Sequence, residues 1–146
     1  MKIRKLEEKD IEQASKIVLQ NYWKAYEKLS LRELEAMYYN HAVKPCYFVA
    51  DHNGMIVGLW WYSQSRMDYN IYEIFWINVI PSYQRKWIWS QLVKKIITTI
   101  QSKKGKIILL TTHKPQFYSD RFNFKKLSTI DQKEKEYIMI LDLKKK

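Results

Sequence analysis

Apolar and polar positions change period several times along this chain, and each change marks an element. Lys2 to Leu6 alternates as a short strand does. Asp10-Ile11-Glu12-Gln13 then opens a helix with Ile11, Ala14, Ile17 or Val18, and Tyr22 on one side. A second helix is expected from Ser30, with Ser30 as the cap, Glu33 reaching back, and Leu31, Leu34 and Tyr38 on the apolar side. Pro45 closes that region. Tyr47 to Asp51 and Met55 to Ser63 read as strands on either side of Asn53-Gly54, the dipeptide best suited to a tight hairpin turn.

Ile71 to Ile80 is a nearly continuous apolar run ended by Pro81, the pattern of a strand covered on both faces at the centre of a sheet. From Ile88 onward Leu92, Val93, Ile96, Ile97 and Ile100 recur at helical spacing, Lys94, Lys95, Gln101 and Lys103 turn outward, and Gly105 follows the end. Lys106 to Thr112 reads as a second buried-type strand. A strand, a loop, a helix and a strand in succession imply parallel neighbours joined by a right-handed crossover. A short helix at Gln116 to Arg121 and strands near Phe124 to Ile130 and Tyr137 to Leu143 complete the order. The pattern predicts a single α/β domain over 1–146, with a mixed, mostly antiparallel sheet of about seven strands flanked by about four helices.

Composition narrows the class. The chain has 146 residues, 47% hydrophobic and 15% aromatic, which excludes a disordered tail and suits one domain with a real core. Cys46 is the single cysteine, and no segment has the length or apolar purity of a signal peptide or membrane span, so a cytoplasmic location is expected. The net charge of +11 is unevenly placed. Residues 1–73 hold ten Lys/Arg and ten Asp/Glu, whereas residues 74–146 hold sixteen and five, so the whole excess sits in the second half. Such a half suits an anionic cofactor, and suits nucleic acid or an acidic partner as well.

Within the basic half, Val79-Ile80-Pro81-Ser82-Tyr83-Gln84-Arg85-Lys86-Trp87-Ile88-Trp89-Ser90 reads as a strand end, a turn and a helix start, where backbone N–H groups can grip a phosphate. Further on stands Phe117-Tyr118-Ser119-Asp120-Arg121-Phe122-Asn123-Phe124. The first segment resembles the acetyl-CoA loop of the GNAT N-acetyltransferases, Gln/Arg-x-x-Gly-x-Gly/Ala. The second is similar to that family's Phe-Tyr-x-x-x-Gly-Phe segment. The element order resembles the GNAT fold over essentially the whole chain. Asn123 replaces the second motif's glycine at little cost, because Asn tolerates a left-handed backbone.

The resemblance implies an enzyme that moves an acetyl group from acetyl-CoA to a primary amine, on a small molecule or a peptide, by direct transfer in a ternary complex. It casts Tyr118 as the acid for the departing thiolate and Glu73, the carboxylate within the central apolar run, as a general base. Main-chain groups of Ile77, Asn78 and Val79 would hold the pantetheine and the developing oxyanion. N–H groups from Gln84 through Ser90, that is Gln84, Arg85, Lys86, Trp87, Ile88, Trp89 and Ser90, would ring the pyrophosphate. The departure is the pair Trp87 and Trp89, where the family has small residues. Three readings stand: a degenerate protein that no longer binds the cofactor, an enzyme with its indoles swung aside, or glycine codons read as tryptophan, as when UGA is reassigned.

Other chemistry is weaker. His41, His52 and His113 lack metal-like spacing, so no metal site is expected. Cys46 reads as a small core residue. Trp60, Trp61 and Tyr62 offer an amine channel beside Tyr22 and Tyr26, although half of a strand's side chains should be core. The opposing class is a non-catalytic binding module for nucleic acid or an acidic partner, and surplus aromatic residues suit the face of a homodimer.

Overall fold

The computed structural model describes residues 1–22, 25–38, 43–84 and 87–144. Strands β1 (Lys2–Lys5), β2 (Cys46–His52), β3 (Met55–Gln64), β4 (Ile71–Val79), β5 (Ile107–Thr112), β6 (Lys125–Asp131) and β7 (Glu136–Asp142) form one sheet in the order β1-β2-β3-β4-β5-β7-β6. The β4–β5 pair is parallel and the others are antiparallel. Helices α1 (Ile11–Asn21), α2 (Ala25–Glu35), α3 (Ile88–Ser102) and α4 (Pro115–Phe122) join them. The expected mixed sheet with four helices is therefore present.

Each face of the sheet carries its own core. On one, Leu6, Ala14, Ile17, Val18 and Leu34 meet Tyr47, Val49, Ile56 and Leu59. On the other, Ile88, Leu92, Val93, Ile96 and Ile100 of α3 meet Trp60, Tyr62, Tyr72, Ile74 and Ile108. The heptad-like spacing of α3 is what points those five residues at the sheet. Gly58 permits the approach, since a Cβ there would lie 3.2 Å from both Ile88 Cγ2 and Leu92 Cδ1. The β2–β3 turn is as expected. Asn53 and Gly54 take φ of 54° and 86°, which fits a tight turn whose twist matches the strands.

Three expectations are corrected. Ser30 does not cap α2: the helix starts at Ala25, leaving Ser30 buried in its interior. Polar residues with a capping sequence can sit within a helix when tertiary contacts, rather than local chemistry, set its start. Tyr22 is not on α1's buried side but at its C-cap, extended and 47% exposed. The run at β4 is covered less evenly than its apolar sequence predicts. Tyr72, Ile74, Asn78 and Val79 are buried, whereas Glu73, Phe75 and Ile77 are only half-buried.

The N-terminal corner is tied by charge. Arg4 donates from Nη1 and Nη2 to the two oxygens of buried Asp10 at 2.6 and 3.0 Å, and from Nε to Asp51 Oδ2 at 3.1 Å. Asp51 in turn accepts the Gly54 N–H at 2.8 Å, so one guanidinium links the first strand, the start of α1 and the hairpin. The Arg4 hydrogen bond, helped by the Glu7 N–H, holds Asp10 below the usual carboxylate range. A depressed pKa contributes stability that is present above the ordinary carboxylate value and lost as pH falls through the folded one. Replacing Arg4 by Lys keeps the charge but loses the fork. It should cost about 1–2 kcal/mol, read as a lower urea midpoint at unchanged slope.

Candidate active site

β4 and β5 pair only from Ile71–Ile107 to Ile74–Leu110, and beyond that point the strands part. A bulge in β4 contributes to this. β4 carries one residue more than β3 between the Leu59–Asn78 and Trp61–Phe75 pairs, and a bulge bends and twists the strand that contains it. The parting leaves a cavity of about 370 Å³ bounded by Phe75 and Ile77 of β4, Leu110 and Thr112 of β5, Tyr118 of α4, and Tyr22 and Tyr26 at the α1–α2 junction. A larger groove of about 530 Å³ between α3 and the β6–β7 hairpin, with Lys94, Lys125 and Asp142, holds none of the candidate residues.

Tyr118 reaches the cavity from a helix fixed at both ends. Pro115 stands at the first turn of α4, and Asn123 ends it in the left-handed conformation at φ 59°. The Tyr118 ring meets Phe117 and Phe124 edge-on, at 5.1 and 5.7 Å between centroids. Only 2% of the residue is exposed. Burial, and secondarily Tyr22, push its hydroxyl well above the ordinary tyrosine value, so it keeps its proton throughout the neutral range.

The loop residues divide by what their side chains do. Gln84 donates to Asn21 Oδ1 and to the Val79 carbonyl, both at 3.1 Å, latching the end of β4 to α1. Ile88 is 1% exposed and belongs to the core. Ser90 Oγ accepts from Arg121 Nη1 at 3.2 Å. Arg85 and Lys86 lie outside the described residues. Among the described residues the first bond along α3 runs from the Gln91 N–H to the Trp87 carbonyl, and the N–H groups of Ile88, Trp89 and Ser90 stand ahead of it at a positive helix end.

Trp87 holds φ 61° and ψ 4°, a left-handed backbone that is an outlier for a bulky residue and ordinary for glycine. The turn holds a backbone that glycine takes readily, with an indole attached. That indole is 67% exposed and lies 4.8 Å from the Arg121 guanidinium. Trp89 points the other way, into the cavity wall. Its ring meets the edge of Phe117 at 5.8 Å, Lys114 Nζ stands 5.1 Å above it, and its indole N–H is buried with no partner among the described residues.

Of the β4 residues, Ile77 lines the cavity, whereas Asn78 and Val79 are buried beyond it. Asn78 Nδ2 has no hydrogen-bond partner among the described residues. Glu73 does not join Tyr118. It borders a neighbouring groove beneath α2 with Glu33 and Trp61, on the face opposite Tyr72 and Ile74. Trp60 and Tyr62 are core, while Trp61 faces that groove. Lys114, Phe117 and Arg121 were not singled out by the sequence pattern. The last two lie inside the Phe-Tyr motif, which is the signal that would have found them. Among the described residues no set of His, Cys, Asp and Glu is placed to hold a metal, and no helix is long and apolar enough to cross a membrane.

No curated protein matches the sequence. Among solved structures, the chain is similar to an aminoglycoside 6'-N-acetyltransferase complexed with coenzyme A, at 16% identity and a TM-score of 0.81 with 97% of each chain covered. It is similar to the aminoglycoside 6'-N-acetyltransferase from Enterococcus faecium, at 15% identity and a TM-score of 0.79, again over 97% of each chain. It is also similar to the PaiA N-acetyltransferase from Thermoplasma acidophilum in complex with coenzyme A, at 19% identity and a TM-score of 0.73, over 97% of this chain and 98% of that one. At such identities these likenesses carry the fold. The pattern of the acetyltransferase (GNAT) family matches residues 12–125 of the sequence itself. With the parted strands, the motif tyrosine at the cleft and the helix start at its mouth, that match places the chain in the GNAT family of acetyltransferases.

Proposed function

We propose that the chain transfers an acetyl group from acetyl-CoA to a primary amine, directly, in the cleft between β4 and β5. The observation that carries this reading is the parting of those strands at Ile74 and Leu110 with Tyr118 facing the gap. The frame suits acetyl-CoA. Beyond Ile74, β4 has no β5 partner, so main-chain groups there can hold an extended chain, and the N–H groups at the start of α3, which have no partner among the described residues, suit a pyrophosphate. Two side chains do not suit it: the indoles of Trp87 and Trp89 stand where a small residue would let phosphates reach the backbone.

Acetyl-CoA supplies the acyl group as a thioester. The amine nitrogen bonds to the acetyl carbon, the carbon–sulfur bond breaks, and Tyr118 gives its proton to the sulfur, regaining one from the amine by way of solvent. Tyr118 suits the task because burial keeps its hydroxyl protonated, so it can donate to the sulfur while negative charge builds there and the amide product forms. Glu73, one groove away, takes the proton of the incoming ammonium before the amine enters the cleft. The acceptor is a small molecule or a peptide amine.

The test is incubation with acetyl-CoA and a panel of primary amines, following free thiol and product mass. Expected is thiol release matched by products heavier by one acetyl group. Release from neither this chain nor its Trp87→Gly/Trp89→Gly variant would overturn the reading. The second reading, a binding module, draws on the obstructing indoles and the +11 charge. It predicts salt-sensitive oligonucleotide or acidic-peptide binding without acetyl-CoA binding.

A further inference from the structure

We infer that a hollow at the end of the sheet remote from the acetyl-CoA loop binds a small polyphosphate, held by Lys5, Lys44 and Lys103. The hollow measures about 500 Å³, and no carboxylate is among its described lining residues. Strand register builds its floor. On the α3 face, Cys46 of β2 lies opposite Tyr62 of β3, and Gln64 of β3 lies opposite Tyr72 of β4. Lys5 of β1 pairs with Phe48, the next residue of β2 on the same face as Cys46, so its side chain joins that face. Lys44 enters from the segment before β2, and Lys103 caps the C-terminus of α3.

Cations that converge on one hollow from three parts of the chain repel one another. Among the described residues none of the three lysines forms an ion pair. The negative end of α3 accounts for Lys103 alone, since Lys5 and Lys44 stand outside that helix. A ligand with several negative charges relieves the repulsion at all three points, whereas a monovalent anion relieves it at one. The floor adds a donor to the charge. Burial, and then the Cys46 thiol, push the Tyr62 hydroxyl above its ordinary value, so it keeps its proton beside the lysines. The Tyr62 ring is itself fixed, meeting Tyr72 at 5.8 Å and Phe48 at 6.3 Å between centroids.

Position separates this site from the cleft. α3 has 15 residues, so at about 1.5 Å of rise per residue the hollow lies roughly 20 Å from the loop at the other end of the helix. Its Tyr62 and Tyr72 belong to the core beneath α3, whereas Trp61 packs on the opposite core beneath α1 and α2. A volume of this size holds a pyrophosphate and leaves room for a nucleoside, so inorganic pyrophosphate and nucleoside diphosphates share the chemistry required. Binding here does not depend on acetyl transfer.

Cys46, the single cysteine, lines the hollow and reports on it. The experiment is alkylation of Cys46 in the full chain by iodoacetamide, followed by mass, with pyrophosphate, ADP or inorganic phosphate added at constant ionic strength. Pyrophosphate or ADP should slow alkylation at least about fivefold at saturation, and inorganic phosphate should require at least about tenfold more ligand for the same effect. Whichever of the first two acts at the lower concentration assigns the source. Lys44→Ala/Lys103→Ala should raise the midpoint at least about tenfold. Lys126→Ala/Lys133→Ala removes the same charge from the distant β6–β7 hairpin and should leave the midpoint in place. Absence of protection by every anion would overturn the proposal, as would equal midpoints for phosphate and pyrophosphate or equal shifts in the two double variants. Should Cys46 resist alkylation, calorimetric titration of pyrophosphate into the same three proteins decides, and an affinity no lower in Lys44→Ala/Lys103→Ala than in the hairpin variant overturns it.

Discussion

In the Trp87→Gly/Trp89→Gly variant, acetyl-CoA should bind about a hundredfold more tightly than in the chain itself, a difference of about 2.8 kcal/mol. Trp89 supplies most of this. Its half-buried indole must leave the cleft wall before a ligand passes, which exposes on the order of 100 Å² of apolar surface and costs about 2.5 kcal/mol. Trp87 acts differently. Its indole covers the Arg121 guanidinium at 4.8 Å, and glycine frees that cation for a phosphate. Glycine also removes the left-handed strain at φ 61°, which for an L-residue costs about 1–2 kcal/mol. That relief should raise the melting temperature of the single Trp87→Gly variant, offset in part by the freedom glycine has when unfolded, whereas Trp89→Gly lowers it by losing the indole's packing and placing a glycine in α3. Calorimetric titration of both proteins reads the first effect and a thermal scan the second. Equal binding by the two would show that the loop accommodates its indoles. Binding by neither would end the acetyltransferase reading, and binding by the variant alone turns attention to the two codons.

The second large effect is on the chemical step. Tyr118→Phe should lower kcat by about a hundredfold to a thousandfold while leaving KM for acetyl-CoA nearly unchanged. The ring is kept, so its edge contacts with Phe117 and Phe124 survive and the fold should be undisturbed. The pH profile gives the sign. Because burial raises the Tyr118 value above about 10, its proton is present across the neutral range and is lost only as pH rises beyond the ordinary tyrosine value. The unsubstituted enzyme should therefore hold its rate on the alkaline side through pH 9. Measurement belongs in the background that binds acetyl-CoA best. An unchanged kcat in Tyr118→Phe would remove the tyrosine from the mechanism.

Much of this was legible beforehand because period and punctuation are local. The three-to-five spacing from Ile88 to Ile100 could bury only one side of a helix, and that side is the one against the sheet. Asn53-Gly54 fixed a turn, and Asn123 took the left-handed cap expected of a glycine substitute. Ser30 misled because a capping sequence is also acceptable inside a helix whose start is set by packing. The surroundings of Glu73 were not legible at all, because its place on β4 says nothing of the Glu33 that borders the same groove from α2.

The sequence by itself determined the elements, their order, the crossover, the basic second half and the motif tyrosine, since each depends on residue type at short spacing. Only the tertiary structure decided that β4 and β5 part at Ile74 and Leu110, that Trp87 keeps a glycine's backbone while Trp89 lines the cleft, and that Glu33 and Glu73 face one groove. Those facts join residues far apart in the chain. They are set by how bulge, helix and sheet pack together, and a one-dimensional pattern holds no distance between them.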